Sequence, residues 1–381
     1  MKPRFAVRGR LVVDGRLVPG AVVVEGGVIK EVQRGEPAAG SLPADVVTAS
    51  VVAPGFIDLQ ANGGFGFEVG TDAEALRGLS AALPRTGVTA WLPTLVSSEP
   101  DVYPQAFAAF TAAKGAPGAA AQGLHIEGPF LSPERKGAHR LSVIESAPAS
   151  LLDTWLACAD VRVVTLAPER PGAAERTRRL RERGVVVSLG HTNATYDEFR
   201  AGIAAGATLV THLFSAMSPF HHRTPGAAGA ALTDERVSVG LIVDGIHCHP
   251  ASVRLALKAK GVERAFLVTD MIAGAGLGAG AYTLGGQVVQ VDATSARLAD
   301  GTLAGSVLTM DEAVRNMVNL AEGTVAEACR MAAEVPARML GLSGKGRLAP
   351  GCDADLVLLD ADLRVRATYV AGRAAFESGL S

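Results

Sequence analysis

The chain has little charge, few cysteines and no long apolar run, and each of these shortages excludes a class of protein. Only 19% of its residues are charged while 48% are hydrophobic, which excludes a disordered chain and a coiled coil. Its four cysteines are scattered and form no CxxC pair, so they indicate a reducing, cytoplasmic location rather than a disulfide-stapled scaffold. The 36 basic residues nearly balance the 38 acidic ones, so the net charge indicates no nucleic-acid or membrane partner.

The sequence also lacks the signals of export and of membrane insertion. Its first residues, MKPRFAVRGRLVVDGRLV, contain no apolar core of the kind found in signal peptides. No run of about 18 apolar residues, the length of a membrane-spanning helix, occurs anywhere. At about 100–200 residues per domain, the length predicts a globular enzyme with two domains, or with one barrel and a small satellite.

Eight short apolar runs, each followed by a helical pattern, dominate the middle of the sequence. Alternating strands and helices predict a parallel sheet, and eight such units predict an α/β fold of the closed (β/α)8 TIM-like barrel type, with an open doubly wound sheet as the alternative. The runs are PGFIDLQAN (54–62), GVTAWLPTL (87–95), AQGLHIEGP (121–129), VRVVTLAPE (161–169), GVVVSLGHT (184–192), ATLVTHLF (207–214), VSVGLIVDGIH (237–247) and RAFLVTD (264–270).

Strand-like segments flank the predicted barrel at both ends of the chain. Residues 1–52 carry valine-rich runs separated by turn residues, among them the hairpin signal Asp14-Gly15. Residues 346–381 return to the same β pattern. We expect both segments to form one small β-sandwich domain, with the barrel spanning residues 53–345.

Polar side chains collect at the carboxyl ends of the predicted barrel strands, on the face where TIM barrels carry their chemistry. They are Gln60 and Asn62 on the first run, His125 and Glu127 on the third, His191 on the fifth, His212 on the sixth, Asp244 and His247 on the seventh, and Asp270 on the eighth. This clustering predicts an active site at that face.

Three of these side chains predict a metal site. Glu127, His191 and His212 would bring one carboxylate and two imidazoles together from neighbouring strand ends, which is a His2Glu set with an open position for water. Such ligands favour Zn²⁺ first, with Fe²⁺, Co²⁺ or Mn²⁺ as alternatives. We therefore expect one divalent metal ion per subunit.

Asp270 is the candidate general base. It ends the apolar run FLVTD, and the glycine-rich segment that follows is a poor helix, which argues against a helix-capping role. A carboxylate beside an activated water can take its proton and later pass that proton to a leaving group. The predicted chemistry is hydrolysis of an amide or cyclic amide.

Several longer motifs identify a family. In this order and spacing they are PGFIDLQANGGFG, HIEGPFLSPERKGAH, GHTNATYDEF, THLFSAMSPFHHRTPG, DGIHCHP, LVTDMIAGAG and LAGSVLTM. Together they resemble the N-acetylglucosamine-6-phosphate deacetylases of the amidohydrolase superfamily, and GRLAPGCDADLVLLD resembles the superfamily's terminal sheet. The likeness spans essentially the whole chain. It implies hydrolysis of N-acetylglucosamine 6-phosphate to glucosamine 6-phosphate and acetate, in amino-sugar catabolism or cell-wall recycling.

The resemblance also implies roles for individual residues. It assigns the metal to Glu127, His191 and His212 and the proton transfer to Asp270. The residues implied in substrate binding are Ala138 and His139 at the sugar, His247 at the phosphate end, Ser215 and Ala216 through their backbone N–H groups, Arg223 at the phosphate, and Leu303, Ala304 and Gly305 in the sugar pocket. In this family the arginine reaches the neighbouring subunit's site, so a homodimer is implied.

Two departures from related patterns bear on function. Gln60 and Asn62 stand where many amidohydrolases have a His-x-His pair, which predicts a vestigial second metal site, and the fourth run carries no lysine. Both points argue against a cyclic-amide hydrolase of the dihydroorotase or hydantoinase type. Ser215 stands where the family usually has asparagine. This leaves deacetylation of N-acetylgalactosamine 6-phosphate as an alternative, and a barrel that has lost its activity as a remoter one.

Overall fold

The computed structural model describes residues 4–378, and a parallel barrel forms its centre. Eight strands pair in the order in which they occur along the chain, as expected for successive βα units. They are β5 (Phe56–Ala61), β8 (Val88–Val96), β10 (Leu124–Glu127), β11 (Val161–Leu166), β12 (Val186–Leu189), β13 (Leu209–Val210), β14 (Ser238–Leu241) and β15 (Ala265–Leu267). Seven of them lie within one of the eight apolar runs and β8 extends one residue beyond its run, which confirms the predicted fold class.

Hydrogen bonds near the carboxyl ends of the first and the last strand close the barrel. The N–H of Asp270 donates to the Gln60 carbonyl at 2.9 Å, and the N–H of Asn62 donates to the Met271 carbonyl at 2.9 Å. The closure therefore brings the carboxyl ends of β5 and β15 side by side.

Helices cover the outside of the barrel. They are α1 (Ala73–Ala82), α2 (Val102–Ala113), α3 (Leu141–Ser146), α4 (Leu151–Ala157), α5 (Ala173–Glu182), α6 (Tyr196–Ala205), α7 (Gly226–Thr233), α8 (Pro250–Lys260), α9 (Met310–Asn319), α10 (Val325–Ala332) and α11 (Glu334–Met339). Their packing follows the helical period: α9 buries Met310, Ala313, Val314 and Met317 on one face. Among the described residues, no helix has the length and apolar character needed to cross a bilayer.

Both ends of the chain contribute to a second, seven-stranded sheet with its own apolar core. Its strands are β1 (Arg4–Val13), β2 (Arg16–Glu25), β3 (Val28–Arg34), β4 (Val46–Pro54), β19 (Leu356–Leu359), β20 (Val365–Val370) and β21 (Arg373–Glu377). Asp14 and Gly15 join β1 to β2, and both have the positive φ that a tight hairpin turn requires. The separate sheet assembled from both termini agrees with the predicted fold class.

A third, three-stranded sheet follows the last barrel strand and stands over the barrel's carboxyl face. It consists of β16 (Gly280–Leu284), β17 (Gln287–Val291) and β18 (Ala296–Arg297). Its apolar side packs on Ile272 and Ala304. Three two-residue strands, β6 (Gly63–Gly64), β7 (Phe67–Glu68) and β9 (Ala120–Ala121), complete the described strands.

The barrel interior beneath the carboxyl face is polar. His125 Nδ1 lies 2.9 Å from the Leu59 carbonyl, which can only accept, so Nδ1 carries the proton and Nε2 accepts from Thr165 Oγ1 at 2.8 Å. Hydroxyl contacts then join Thr165 to Thr211 at 2.7 Å and Thr211 to Ser188 at 2.6 Å. This chain of hydrogen bonds ties together the strands that lead into the predicted site.

Candidate active site

A cavity of about 430 Å³ opens at the carboxyl face of the barrel. That volume lies in the range of sites that bind small ligands. Its lining comprises Asn62, Val96, Ser97, Glu127, Glu134, Arg135, Gly137, Ala138, His139, Arg140, His191, His212, Ser215, Ala216, His247, Asp270, Leu284, Gly285, Gln287, Thr302, Leu303 and Gly305. Most of the residues singled out from the sequence therefore meet in one space.

Three potential ligand atoms converge at the floor of this cavity. Glu127 Oε1 lies 3.2 Å from His212 Nε2 and 3.3 Å from His191 Nε2, and the two nitrogens are 3.1 Å apart. A tetrahedral ion with bonds of about 2.0–2.1 Å separates its ligand atoms by about 3.3 Å. The three spacings thus match one face of a coordination tetrahedron, so these side chains fit a divalent metal.

His139 lies close to the same point, and its hydrogen bonds distinguish it from the other two histidines. Ligand atoms of Glu127, His139 and His191 lie within 4.8 Å of one another. However, His139 Nδ1 accepts from the Ser97 N–H at 3.2 Å, so a neutral His139 carries its proton on Nε2 and offers a donor there. His191 has the opposite arrangement: its Nδ1 donates to the Arg135 carbonyl at 3.0 Å, which leaves the Nε2 lone pair free to bind a cation.

The electrostatics of the floor keep Glu127 ionised. Burial by itself would raise the pKa of this carboxyl, but its close contacts with the His191 and His212 imidazoles outweigh burial and hold the pKa well below its usual range. Burial lowers the pKa of His139 to about 3, so this imidazole is neutral. A buried anion beside the lone pair of His191 Nε2 and the imidazole of His212 is an environment that favours a cation.

Asp270 stands at the edge of the floor with one of its oxygens already occupied. Its Oδ1 accepts from Asn62 Nδ2 at 2.7 Å and from Gln60 Nε2 at 3.1 Å, while Gln60 Nε2 also donates to Glu127 Oε1 at 2.9 Å. Burial, together with the negative charge of Glu127, raises the pKa of Asp270 to about 6. The Oδ2 atom is therefore the one placed to exchange a proton near neutral pH.

The predicted vestigial second metal site has a defined structure. The nitrogens of both amides point at carboxylates, and Gln60 joins Asp270 to Glu127 by hydrogen bonds. On the fourth barrel strand the interior position is Thr165, whose hydroxyl faces His125. These amides are neutral donors and offer no imidazole to a second ion.

Three of the predicted site residues have a strained backbone. His191, His212 and Asp270 have φ values of +47°, +28° and +52°, which lie in the left-handed region. Residues other than glycine adopt this region at a cost of about 1–3 kcal/mol, and such residues cluster at functional sites. The turns aim the three side chains inward instead of letting them continue the alternation of the strands.

The residues implied in sugar binding divide into two groups. Ala138, His139, His247, Leu303 and Gly305 line the cavity, whereas Ala304 is fully buried and packs in the apolar cluster beneath the three-stranded sheet. A contact of the Ala304 side chain with substrate is therefore not available in this structure, although its neighbours remain accessible.

His247 is oriented by a neighbouring carboxylate. Its Nδ1 lies 2.6 Å from Asp244 Oδ2, which fixes the proton on Nδ1 and directs Nε2 into the cavity. Asp244 accepts the backbone N–H of His247 as well, at 2.8 Å.

The loop after β13 holds the groups implied in phosphate binding. Phe214 and Ala216 have positive φ while Ser215 between them does not, an alternation that turns backbone N–H groups towards one side, as in anion-binding nests. The Ser215 N–H already donates to the His212 carbonyl at 3.0 Å, so at this position the Ala216 N–H and the Ser215 hydroxyl are better placed to meet an anion. Arg223 lies outside the cavity of its own subunit, exposed on the loop that carries the exposed Phe220.

The sequence reasoning missed several groups at this site. Ser97 fixes the tautomer of His139, and Arg135 and Arg140 add positive charge to the cavity wall. Gln287, on the hairpin of β16 and β17, lines the cavity and donates to the Ala138 carbonyl. Periodicity places a hairpin but not the surface it covers, so no local signal identifies Gln287. The run PERKGAH does carry an accumulation of positive charge that could have drawn attention to Arg135.

Comparison with known proteins agrees with this arrangement. The amidohydrolase family model matches residues 51–376. The N-acetylglucosamine-6-phosphate deacetylase of Homo sapiens is 42% identical over 345 residues, which cover 86% of this chain and 84% of that protein. The N-acetylgalactosamine-6-phosphate deacetylase of Escherichia coli O157:H7 is 41% identical over 333 residues, with 86% and 88% covered. The two alignments thus cover most of this chain and most of each relative.

A solved structure extends the likeness to the whole chain. The N-acetyl-D-glucosamine-6-phosphate deacetylase of Mycobacterium smegmatis, in complex with N-acetyl-D-glucosamine 6-phosphate, has a TM-score of 0.92 and 35% identity, with 98% of this chain and 99% of that chain covered. The family resemblance read from the motifs is therefore confirmed.

Proposed function

The chain belongs to the amidohydrolase family, and we propose that it hydrolyses N-acetyl-D-glucosamine 6-phosphate to D-glucosamine 6-phosphate and acetate. It is a hydrolase that acts on a linear amide. The observation that carries the proposal is the convergence of Glu127, His191 and His212 at spacings of 3.1–3.3 Å, in one cavity with a base at Asp270.

Glu127, His191 and His212 would hold one divalent metal ion, with Zn²⁺ the first candidate and Fe²⁺, Co²⁺ or Mn²⁺ the others. The bound ion supplies Lewis-acid polarisation of the amide carbonyl and lowers the pKa of a water. His139 is not counted among the ligands, because its Nε2 is the protonated nitrogen. That N–H can instead donate to a substrate oxygen.

Asp270 would carry the proton through the reaction. Oδ2 takes a proton from the attacking water as its oxygen bonds to the acetyl carbon. The same oxygen then gives the proton to the amine nitrogen as the C–N bond breaks. Asn62 and Gln60 keep Oδ1 occupied throughout, so the carboxyl group cannot rotate away from the reacting atoms.

The far end of the cavity would bind the phosphate. Arg135, Arg140, His247 and Ala216 all line the cavity and would supply positive charge, an imidazole and a backbone N–H to the phosphate. Binding energy gained at the phosphate orients the distant amide for attack. Arg223 of a second subunit would add a guanidinium, which suits the geometry of a phosphate. The enzyme would then be a homodimer.

The enzyme would act in the cytoplasm, in amino-sugar catabolism or cell-wall sugar recycling. Its four cysteines are free, as expected for a reducing compartment.

Deacetylation of N-acetylgalactosamine 6-phosphate is the second candidate function. The E. coli relative that carries this activity in its name matches the chain about as well as the human one does, at 41% against 42% identity. Ser215, in place of the family's usual asparagine, lies in the cavity and could alter the fit of the sugar.

Acetate release by the purified protein, loaded with Zn²⁺, tests both candidates. We expect turnover of N-acetylglucosamine 6-phosphate, a higher kcat/KM for it than for the galactose epimer, and little activity on the sugar without phosphate. A higher kcat/KM for the galactose epimer would make deacetylation of N-acetylgalactosamine 6-phosphate the favoured function. Hydrolysis of dihydroorotate or hydantoin, without acetate release from either sugar, would refute both.

A further inference from the structure

Asp58 is a buried carboxylate that lies directly beneath the site and that the reaction above does not use. It is completely inaccessible on β5, two residues before Gln60. Its Oδ1 accepts the Gln60 N–H at 3.2 Å and the Thr269 N–H at 3.3 Å, and its Oδ2 accepts from Thr269 Oγ1 at 2.5 Å. Three of its hydrogen bonds thus go to residues that adjoin or contact Asp270.

The Thr269 hydroxyl links Asp58 to the backbone on the far side of Asp270. It donates to Asp58 and accepts the N–H of Met271 at 3.2 Å. The same hydroxyl therefore holds the chain on both sides of Asp270. Ser306 completes the frame, since its Oγ donates to the Thr269 carbonyl at 2.6 Å and its N–H donates to the Asp270 carbonyl at 2.9 Å.

The backbone at Asp270 requires such a frame. Its φ of +52° is unfavourable for a residue with a Cβ atom, and a free chain would relax towards negative φ. Relaxation would move the carboxylate away from Asn62 and from the attacking water. Asp58, inside the barrel, accepts hydrogen bonds from both the hydroxyl and the N–H of Thr269.

We propose that Asp58 is a positioning residue for the deacetylation, which acts through Thr269 to hold Asp270 in its strained, inward conformation. This inference rests on the proposed function. Asp58 touches neither the substrate cavity nor the converging ligand atoms, so its effect belongs to the proton-transfer step and not to metal or substrate binding.

Asp58→Asn and Thr269→Val test the proposal in the metal-loaded enzyme. We expect each to lower kcat about 10- to 100-fold, with KM within about threefold of the wild-type value and with one metal retained. Thr269→Ser, which keeps the hydroxyl, restores kcat. Thr89→Val is the matched control: Thr89 is a buried barrel residue whose hydroxyl faces only the Phe56 carbonyl, and we expect its kcat to stay unchanged.

A double substitution separates positioning from general support of the fold. In an Asp270→Asn background there is no base to position, so adding Asp58→Asn should leave the residual rate and the affinity for substrate unchanged. A further loss in that background, or loss of metal in Asp58→Asn, would overturn the proposal, as would an unchanged kcat in Thr269→Val. If the wild-type protein releases no acetate in the same assay, the proposed function has failed instead.

Discussion

At the scale of single residues, two amides occupy the carboxylates around the predicted metal site. Gln60 and Asn62 direct their nitrogens at Asp270, and Gln60 also bridges to Glu127. Hydrogen bonds from a neutral amide thus join Asp270 to Glu127. Asp270 is left with one oxygen that the amides do not bond, and its raised pKa follows from burial and from the nearby charge of Glu127.

Asp270→Asn should leave metal and substrate bound but remove the proton carrier. We expect kcat to fall by about 10²–10⁴-fold, the contribution of a positioned acid–base group. Acetate release measures kcat, and isothermal titration with N-acetylglucosamine 6-phosphate measures binding. Turnover close to that of the wild-type enzyme would rule out Asp270 as the base.

The set of metal ligands can be tested by comparing histidines. His212→Ala and His191→Ala each remove a nitrogen from the coordination face, so metal content should fall well below one ion per chain after dialysis. His139→Ala removes only an N–H donor, so metal content should stay near one while activity drops. If His139→Ala loses the metal and His212→Ala keeps it, His139 takes the place of His212 in the set.

At the scale of elements, the short barrel strands are connected by polar side chains as well as by their backbone ladder. The network of His125, Thr165, Thr211 and Ser188 crosses four neighbouring strands just below the cavity. Thr211 precedes the potential ligand His212, so strand pairing and site geometry share the same hydrogen bonds. Capping boxes, such as the one formed by Thr195 and Glu198 on α6, define the helix starts on the outside.

Thr165→Val should interrupt this network. It removes the donor to His125 and the acceptor for Thr211, which leaves buried polar groups unpaired at a cost of about 1–3 kcal/mol. Urea unfolding of the metal-free protein measures the loss. Thr111→Val, on the exposed face of α2, removes a hydroxyl that bonds only to the Phe107 carbonyl and should change the stability far less. Equal effects of the two substitutions would contradict the importance of the network.

At the scale of the whole molecule, the terminal sheet and the three-stranded sheet contact the barrel in different places. The terminal sheet is joined to the barrel through Asp355, whose carbonyl accepts the Gly55 N–H and whose side chain meets Lys345 Nζ at 2.7 Å. The three-stranded sheet supplies Leu284, Gly285 and Gln287 to the cavity wall. A second subunit would supply the exposed Arg223.

Mixing two inactive variants tests the shared site. Arg223→Ala keeps its own base but lacks the guanidinium that it would lend, whereas Asp270→Asn lacks the base but retains Arg223. When equal amounts are unfolded and refolded together, random pairing should return about a quarter of the wild-type sites to activity. Each variant treated alone is the control. Absence of recovery, with mixed dimers demonstrated by size and mass, would refute a contribution from the partner.

The sequence alone determined the order of the eight strands, the family and many of the groups that meet in the cavity. This was possible because strand and helix periods are local properties, and because parallel strands bring their carboxyl ends to one face whatever the details of packing. Only the tertiary structure showed that His139 presents an N–H where His191 presents a lone pair, that the Ser215 amide is already bonded, and that Asp58 supports Asp270. Each of these depends on a partner distant in sequence or on a single backbone dihedral angle, and neither leaves a trace in a local pattern of residues.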